Sequence, residues 1–421
     1  MELEKKGYKQ TKIGLIPEDW KIVSLGEITN LLTNGFVGTA TTHYTEERNG
    51  VLYIQGYNVE CNSFNFRGIK KVTQEFHKNH QKSSLKEGDL LTVQTGDVGL
   101  TTIIPEELIG SNCHALIISR FKKNKVSPSF YSHYFNSTVG RSRLKSLEVG
   151  TTMKHLNVSD MMLWKIPFPP TLSEQKAIAT ALNDVDTLIR NLEKLISKKK
   201  GIKQGAIQQL LTHPNKGGRR LPGFSEEWEE KRLGEIADFY KGKGLPKADL
   251  DINGRFPCIH YGELFTFYNE IVYEINSKTN QNQLVFLSKV NDVLMPTSDV
   301  TPNGLATASA IFEDDVILGG DVLVIRTFKS ILNGGFLSYL IRINKGQVMQ
   351  LVSGTTVYHL YGSDMKKFRL SFPSIKEQNL IVSILQDIDK EIQSLKNKRT
   401  KYQNIKQGMM QELLTGKTRL V

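Results

Sequence analysis

Few side chains of this 421-residue chain stand at spacings that could make or break bonds, and each candidate fails on a neighbour. Thr415-Gly416-Lys417-Thr418 resembles the end of a phosphate-cradling loop, but Gln411 stands where that loop requires its first glycine. Gly242-Lys243-Gly244 is too short for a dinucleotide fingerprint. Phe168-Pro169-Pro170-Thr171 has the wrong flanks for the proline pair of an amino-methyltransferase site. Glu230 beside Lys231, and Asp364 near Lys366, lack the upstream acidic partner of a nuclease centre. His155 and His359 recur in a repeated segment, each followed by leucine, which favours hydrogen-bonded framework residues over a catalytic base. Cys61, Cys113 and Cys258 form no CxxC pair, and no cluster has metal-ligand spacing. What remains are residues suited to a polyanion. Cations placed for phosphate contacts are Lys70, Lys71, Lys122, Lys123, Lys125, Arg141, Arg143 and Lys154 in the first half, and Lys241, Lys243, Lys247, Arg255, Arg342 and Lys345 in the second. Base edges are read instead by polar loop residues, and Thr33, Asn34, Gln94, Thr95, Thr297 and Ser298 are candidates.

The charge balance supports such a partner only in part. Fifty-five Lys and Arg against 43 Asp and Glu leave a net charge of +12, which draws polyanions and says nothing about fold. The surplus is uneven: residues 21–165 carry +5, residues 171–227 and 371–421 carry +4 each, and residues 229–370 carry −1. In that last stretch local clusters must matter more than net charge. No run approaches the roughly eighteen apolar residues of a membrane span, and MELEKKGYKQ lacks the apolar core of a signal peptide. Three scattered cysteines fit a reducing compartment, so a cytoplasmic protein without a membrane partner is expected.

The elements that must position these residues announce themselves by repetition. GTTMKHLNVSDMMLWKIPFP (150–169) returns as GTTVYHLYGSDMKKFRLSFP (354–373), and residues 174–212 match residues 377–415 at 17 of 39 positions. Trp20 and Leu25-Gly26-Glu27-Ile28 return as Trp228 and Leu233-Gly234-Glu235-Ile236. Residues 30–148 and 238–352, by contrast, show little resemblance to each other. Each half is therefore a shared frame around a private interior. Runs such as VLYIQGY, DLLTVQTGDVG and DVLVIRTF, set between Gly, Asn and Asp turns, predict mixed domains with a strongly β core.

After each frame proline the pattern turns helical, with Ser173 and Ser374 in N-cap-like positions. Ile178, Leu182, Val185, Ile189, Leu192 and Ile196 alternate spacings of four and three. Ile381, Leu385, Ile388, Ile392 and Leu395 occupy the matching positions, and Tyr402, Met409 and Leu413 continue the register. This is the seam of a coiled coil, interrupted at Lys199, Lys203, Arg399 and Lys406. About 40 residues make a helix of roughly 60 Å, too long for one domain to bury. Two such helices packed antiparallel would form a strut with a domain at each end, related by a pseudo-two-fold axis. The fold expected is α+β: domain one with its N-terminal segment at 1–170, a spacer helix at 171–215, a linker and second domain at 216–373, and a second helix at 374–421.

The order GTT…HL…SDM…IPFP…EQKAI, then KQG…QQLLT and RRLPGF…EW…LGEI, resembles the specificity subunit of type I restriction–modification systems. GTTVYHL…FP…KEQ…KQGMMQELLTGK repeats the signature, and IPEDW…LGEI opens it, so the resemblance spans essentially the whole chain. It implies two target recognition domains reading the halves of a bipartite, asymmetric sequence in double-stranded DNA. It also implies long helices that space the readers and dock two methylation subunits. The chain would then be non-catalytic and bind no cofactor. S-adenosylmethionine would sit on the methylation subunits, and ATP and Mg on the restriction and translocation subunits. A helical scaffold whose two β-rich domains bind protein or glycan partners is the alternative reading.

Overall fold

A computed structural model of the chain describes residues 7–151 and 154–420; Thr152 and Met153 of the first frame segment, residues 1–6 and Val421 lie outside the described residues. The frame motifs fold as local clamps. Glu27 turns back on Ser24, whose amide donates to its carboxylate at 3.1 Å, and Leu25 and Ile28 are buried. The amide of Leu25 donates to the carbonyl of Trp164, and strand Lys21–Ser24 pairs antiparallel with Lys165–Phe168. The second copy does the same: Leu233 donates to Phe368, and Glu229–Arg232 pairs with Arg369–Phe372. The repeated glycine is steric. A Cβ on Gly26 would lie 2.6 Å from Met162 Cγ, and one on Gly234 would lie 2.9 Å from Lys366 Cβ.

Two helices of 39 residues each, Leu172–Leu210 and Ile375–Leu413, follow the frame strands. Ser374 immediately precedes the second, as expected; the first is capped by Thr171, whose hydroxyl accepts the Glu174 amide at 3.1 Å, and Ser173 lies inside it. The chain divides into one unit of residues 1–193 with 397–421 and another of residues 194–396. Each long helix is thus shared between units, a division that cuts across the sequential one expected from the sequence.

In the first unit, Ile178 and Leu182 share a buried core with Leu413, Leu414 and Trp20, so the helix segments run antiparallel. Trp20 meets the ring edge of Phe130 at 6.3 Å. In the second unit, Ile381 and Leu385 share a core with Ile207, Leu211 and Trp228, and Trp228 meets Phe336 at 6.4 Å. Of the seam residues, Val185, Ile388, Leu395, Tyr402 and Met409 are half-buried and the others buried. The expected breaks at Lys203 and Lys406 are instead ion pairs: Lys203 with Asp389 at 2.8 Å, and Lys406 with Asp186. Lys199 likewise pairs with Glu391 at 2.7 Å. Each of these lysines finds its carboxylate on the other helix.

The interiors, unlike in sequence, are alike in topology. The first holds an antiparallel sheet in the order Thr101–Ile103, Leu90–Val93, Leu116–Phe121, Thr29–Asn34. The second has the same order in Ser309–Ile311, Asp292–Pro296, Val322–Thr327, Ala237–Lys241. A three-stranded sheet accompanies each: Asn112–Cys113 parallel to Val51–Ile54, itself antiparallel to Lys70–Val72, and likewise Ile317–Leu318, Phe256–Ile259 and Ser277–Thr279. The same buried clasp ties the central strands. Asp89 receives the Arg120 guanidinium twice at 2.7 Å, and Asp292 receives Arg326 at 2.9 and 2.8 Å.

Candidate nucleic-acid interface

The repeated Glu-Gln pair fastens frame to interior. Gln175 accepts the Ser127 amide at 2.8 Å, where helix Pro128–Asn136 begins, and donates to the carbonyl of Pro169. Gln378 accepts the Asn333 amide at 2.9 Å, at the start of helix Gly334–Ile343, and donates to Pro373. Glu174 and Glu377, each 1% exposed, bind Arg419 and Arg220. These residues fasten each interior to its frame.

The polar candidates gather at one end of each sheet. Asn34 lies opposite Ile117, which lies opposite Thr92, two residues before Gln94. Gln94 receives the Leu156 amide on its carbonyl and donates its side chain to the Leu156 carbonyl at 2.8 Å, while Thr95 bridges to His155. In the second unit Lys241 lies opposite Leu323, Leu360 donates to the carbonyl of Thr297, and Ser298 pairs with His359. Asn34 and Lys241, Gln94 and Thr297, Thr95 and Ser298, and His155 and His359 are thus equivalent positions. The next residue, Gly35 or Gly242, admits no side chain: a Cβ would lie 2.5 Å from Cys113 Sγ or 2.0 Å from the Gly319 carbonyl.

In the second unit this end opens as a cleft of about 630 Å³, lined among others by Lys241, Thr297, Ser298, Asp321, Tyr361 and Lys366. His359 stacks on Tyr361 at 6.0 Å. Asp321 and Tyr361 were not among the sequence candidates, and Lys366 was weighed only beside Asp364 as part of a nuclease centre. For the last two a signal existed: they stand where the copies of an otherwise repeated segment differ, opposite Asn157 and Met162.

Several cationic candidates lie elsewhere. Lys122, Lys123 and Lys125 follow Phe121 at the far end of the six-residue strand from Leu116, about 17–20 Å from the Asn34 end. Lys70 and Lys71 belong to the three-stranded sheet, and Lys154 is exposed 3.6 Å from Glu148. Lys243, Lys247, Arg255 and Lys345 are exposed. Four candidates serve the fold instead. Arg342 donates to the carbonyls of Ala308 at 2.6 Å and Tyr268 at 3.2 Å, with burial lowering its pKa. Arg143 donates to the Ile13 carbonyl, Lys122 to the Glu27 carbonyl, and Thr33 is buried. Arg141 is half-buried, with one guanidinium nitrogen enclosed and unpaired among the described residues. A net positive charge in the sequence does not distinguish a guanidinium aimed at solvent from one consumed by carbonyls.

Among the described residues no three His, Cys, Asp or Glu side chains gather where they could hold a metal ion, and no helix is long and apolar enough to cross a membrane.

The chain is 24% identical to the putative type I restriction enzyme MjaX specificity subunit of Methanocaldococcus jannaschii, over 99% of this chain and 98% of that protein. It is also 24% identical to the type I restriction enzyme MjaVIII specificity subunit of the same organism, over 96% of this chain and 94% of that protein. Its fold is similar to the solved S subunit of the type I restriction-modification system from M. genitalium, with a TM-score of 0.59 at 15% identity, over 94% of this chain and 96% of that one. The family model for the type I restriction modification DNA specificity domain matches residues 17–200 and again residues 225–406. Both halves satisfy the one model, and the chain belongs to the type I restriction modification DNA specificity family, whose domain it carries twice.

Proposed function

We propose that each unit reads one half of a bipartite, asymmetric site in double-stranded DNA, and that the chain directs adenine methylation and cleavage by partner subunits without catalysing either. The observation that carries this reading is one scaffold built twice with different side chains at its polar end: Asn34 and Thr95 in one unit, Lys241 and Ser298 in the other. A fold that keeps its frame and clasps while changing that end is suited to changing what is read without disturbing assembly. Two methylation subunits carrying S-adenosylmethionine, and restriction subunits using ATP and Mg, are the partners of this reading. The chain itself needs no cofactor, and the DNA it would guard places it in the cytoplasm.

Methylome sequencing of a host expressing the chain with its methylation partner tests the proposal. The expected result is adenine methylation at a split motif with a fixed gap. No new methylation, together with salt-insensitive or absent duplex binding by the complex, would overturn it and favour a scaffold for protein or glycan ligands.

A further inference from the structure

Lys241 and Asp321 stand side by side in the cleft of the second unit, 3.3 Å apart, with 62% and 49% of their side chains exposed. Asp321 is held in place through its backbone: its carbonyl accepts the Thr297 amide at 3.0 Å and the Thr297 hydroxyl at 3.2 Å. Lys241 is held by the ladder opposite Leu323 and by the closely packed Gly242 that follows. A carboxylate this close repels a phosphate, so the sequence-based role of Lys241 as a phosphate contact does not suit its surroundings.

A paired cation and anion match a ligand that offers acceptors and a donor next to each other. Resting on the reading of this unit as a DNA reader, we infer that Lys241 and Asp321 recognise a G·C pair from the major groove. The ammonium has three donors and spans both guanine acceptors, O6 and N7, while the carboxylate accepts from the neighbouring cytosine N4 amine. An A·T pair holds its two acceptors, adenine N7 and thymine O4, apart on either side of the N6 amine, so the ammonium reaches only one of them even where the carboxylate takes the amine, and the thymine methyl crowds the pair. The near-neutral charge of residues 229–370 fits a reader that matches a base edge with paired charges rather than gripping phosphate.

The first unit lacks this pair. Asn34 occupies the position of Lys241, and Ala115 that of Asp321, two residues before Ile117 as Asp321 is before Leu323. The requirement for G·C imposed by this pair therefore belongs to one half-site only.

Selection from random duplex DNA, by the full chain assembled with its methylation partner, tests this. The wild type enriches a split motif with an invariant G·C pair in one half. D321N and K241Q each lose the preference at that pair by about tenfold or more, and leave the other half and the gap unchanged. K241Q alters an exposed side chain and guards against a folding defect in D321N. K289Q, which removes an exposed pair with Asp315 elsewhere in the unit, leaves the motif as it was. A split motif unchanged by D321N and K241Q, or one with no invariant G·C pair, overturns the inference while the reading of the chain as a DNA reader stands. Absence of any enriched motif overturns both.

Discussion

Between the long helices both units place the same lysine and aspartate, Lys406 with Asp186 in the first and Lys203 with Asp389 in the second, but the interiors surround the pair differently. In the second unit Glu270 adds a second carboxylate at 3.0 Å from Lys203, and the hydroxyls of Tyr273 and Tyr339 lie 3.4 and 3.3 Å from Asp389. In the first unit the corresponding place holds His133, whose ring links Asn183 on the long helix to Asn62 in the interior, at 2.8 and 3.2 Å. Divergence of the interiors is therefore not confined to the polar end. It reaches back to where each interior is fastened to the helices, so an exchanged interior brings its own fastening chemistry to a frame that supplies only Lys and Asp.

The largest effect expected from this difference is on Lys203. In K203M two half-buried carboxylates face each other without a counter-charge, and the second unit should lose about 5 kcal/mol. K406M strands only Asp186, so the first unit should lose less. Amide hydrogen exchange of the helix segments 194–210 and 375–396, compared with 172–193 and 397–413, measures each unit separately. Equal losses would mean that the interiors do not modulate the shared pair.

Where the units agree, the variants should agree as well. R220M and R419M each leave a buried glutamate, Glu377 or Glu174, without its guanidinium, at a cost of about 3 kcal/mol to its own unit. E377Q should recover part of the loss in R220M, because a neutral amide is cheaper to bury unpaired than a carboxylate. R419M differs in one respect: it also releases Asp19, whose carboxyl Arg419 holds below the usual range by a direct hydrogen bond. Thermal unfolding of the single and double variants checks this. A double variant no more stable than R220M would place the cost in lost packing and not in the stranded charge.

The duplicated frame and the seam were legible because identity survived there, and because a helix shows its buried face in spacing alone. The kinship of the interiors was not. A sheet core asks only for alternating apolar residues of suitable volume, which many sequences supply. The few residues with fixed roles are isolated: Asp89 and Asp292 keep the frame offset of 203, whereas Arg120 and Arg326, like Phe130 and Phe336, have slipped to 206. Lys203 and Lys406 read as interruptions because their partners lie on the other helix, roughly 190 and 220 residues away, and no local pattern announces such a pair. At the polar end the neighbourhood of Gln94 and Thr297 was legible as polar loop. Asp321, which changes the meaning of Lys241, was one acidic residue among many.

The smallest expected effect is also the most selective for one unit. His133 is 1% exposed, and its Nδ1 faces the amide nitrogen of Asn62, so the ring accepts there and donates from Nε2 to Asn183. Protonation would set two donors against each other at Nδ1 and bury a charge. Desolvation, the leading cause, holds the pKa of His133 below 6.5; Lys406 nearby acts in the same direction, while Asp186 and the bond to Asn183 oppose it. The unfolded chain therefore binds the proton first as pH falls. The contribution of His133 is intact above about pH 6.5 and declines towards its folded pKa, by no more than about 1.4 kcal/mol per pH unit. His114, in the same unit and also lowered by burial, acts in the same sense but is more solvated. Tyr339 takes the place of His133 in the second unit, which should lack this contribution. Hydrogen exchange between pH 7 and 5.5 should show the first unit losing protection relative to the second, with H133Q removing most of the difference. If H133Q keeps the full pH dependence, the link from Asn62 to the helix does not depend on a neutral ring, and the two fastenings differ in residue type but not in their response to acid.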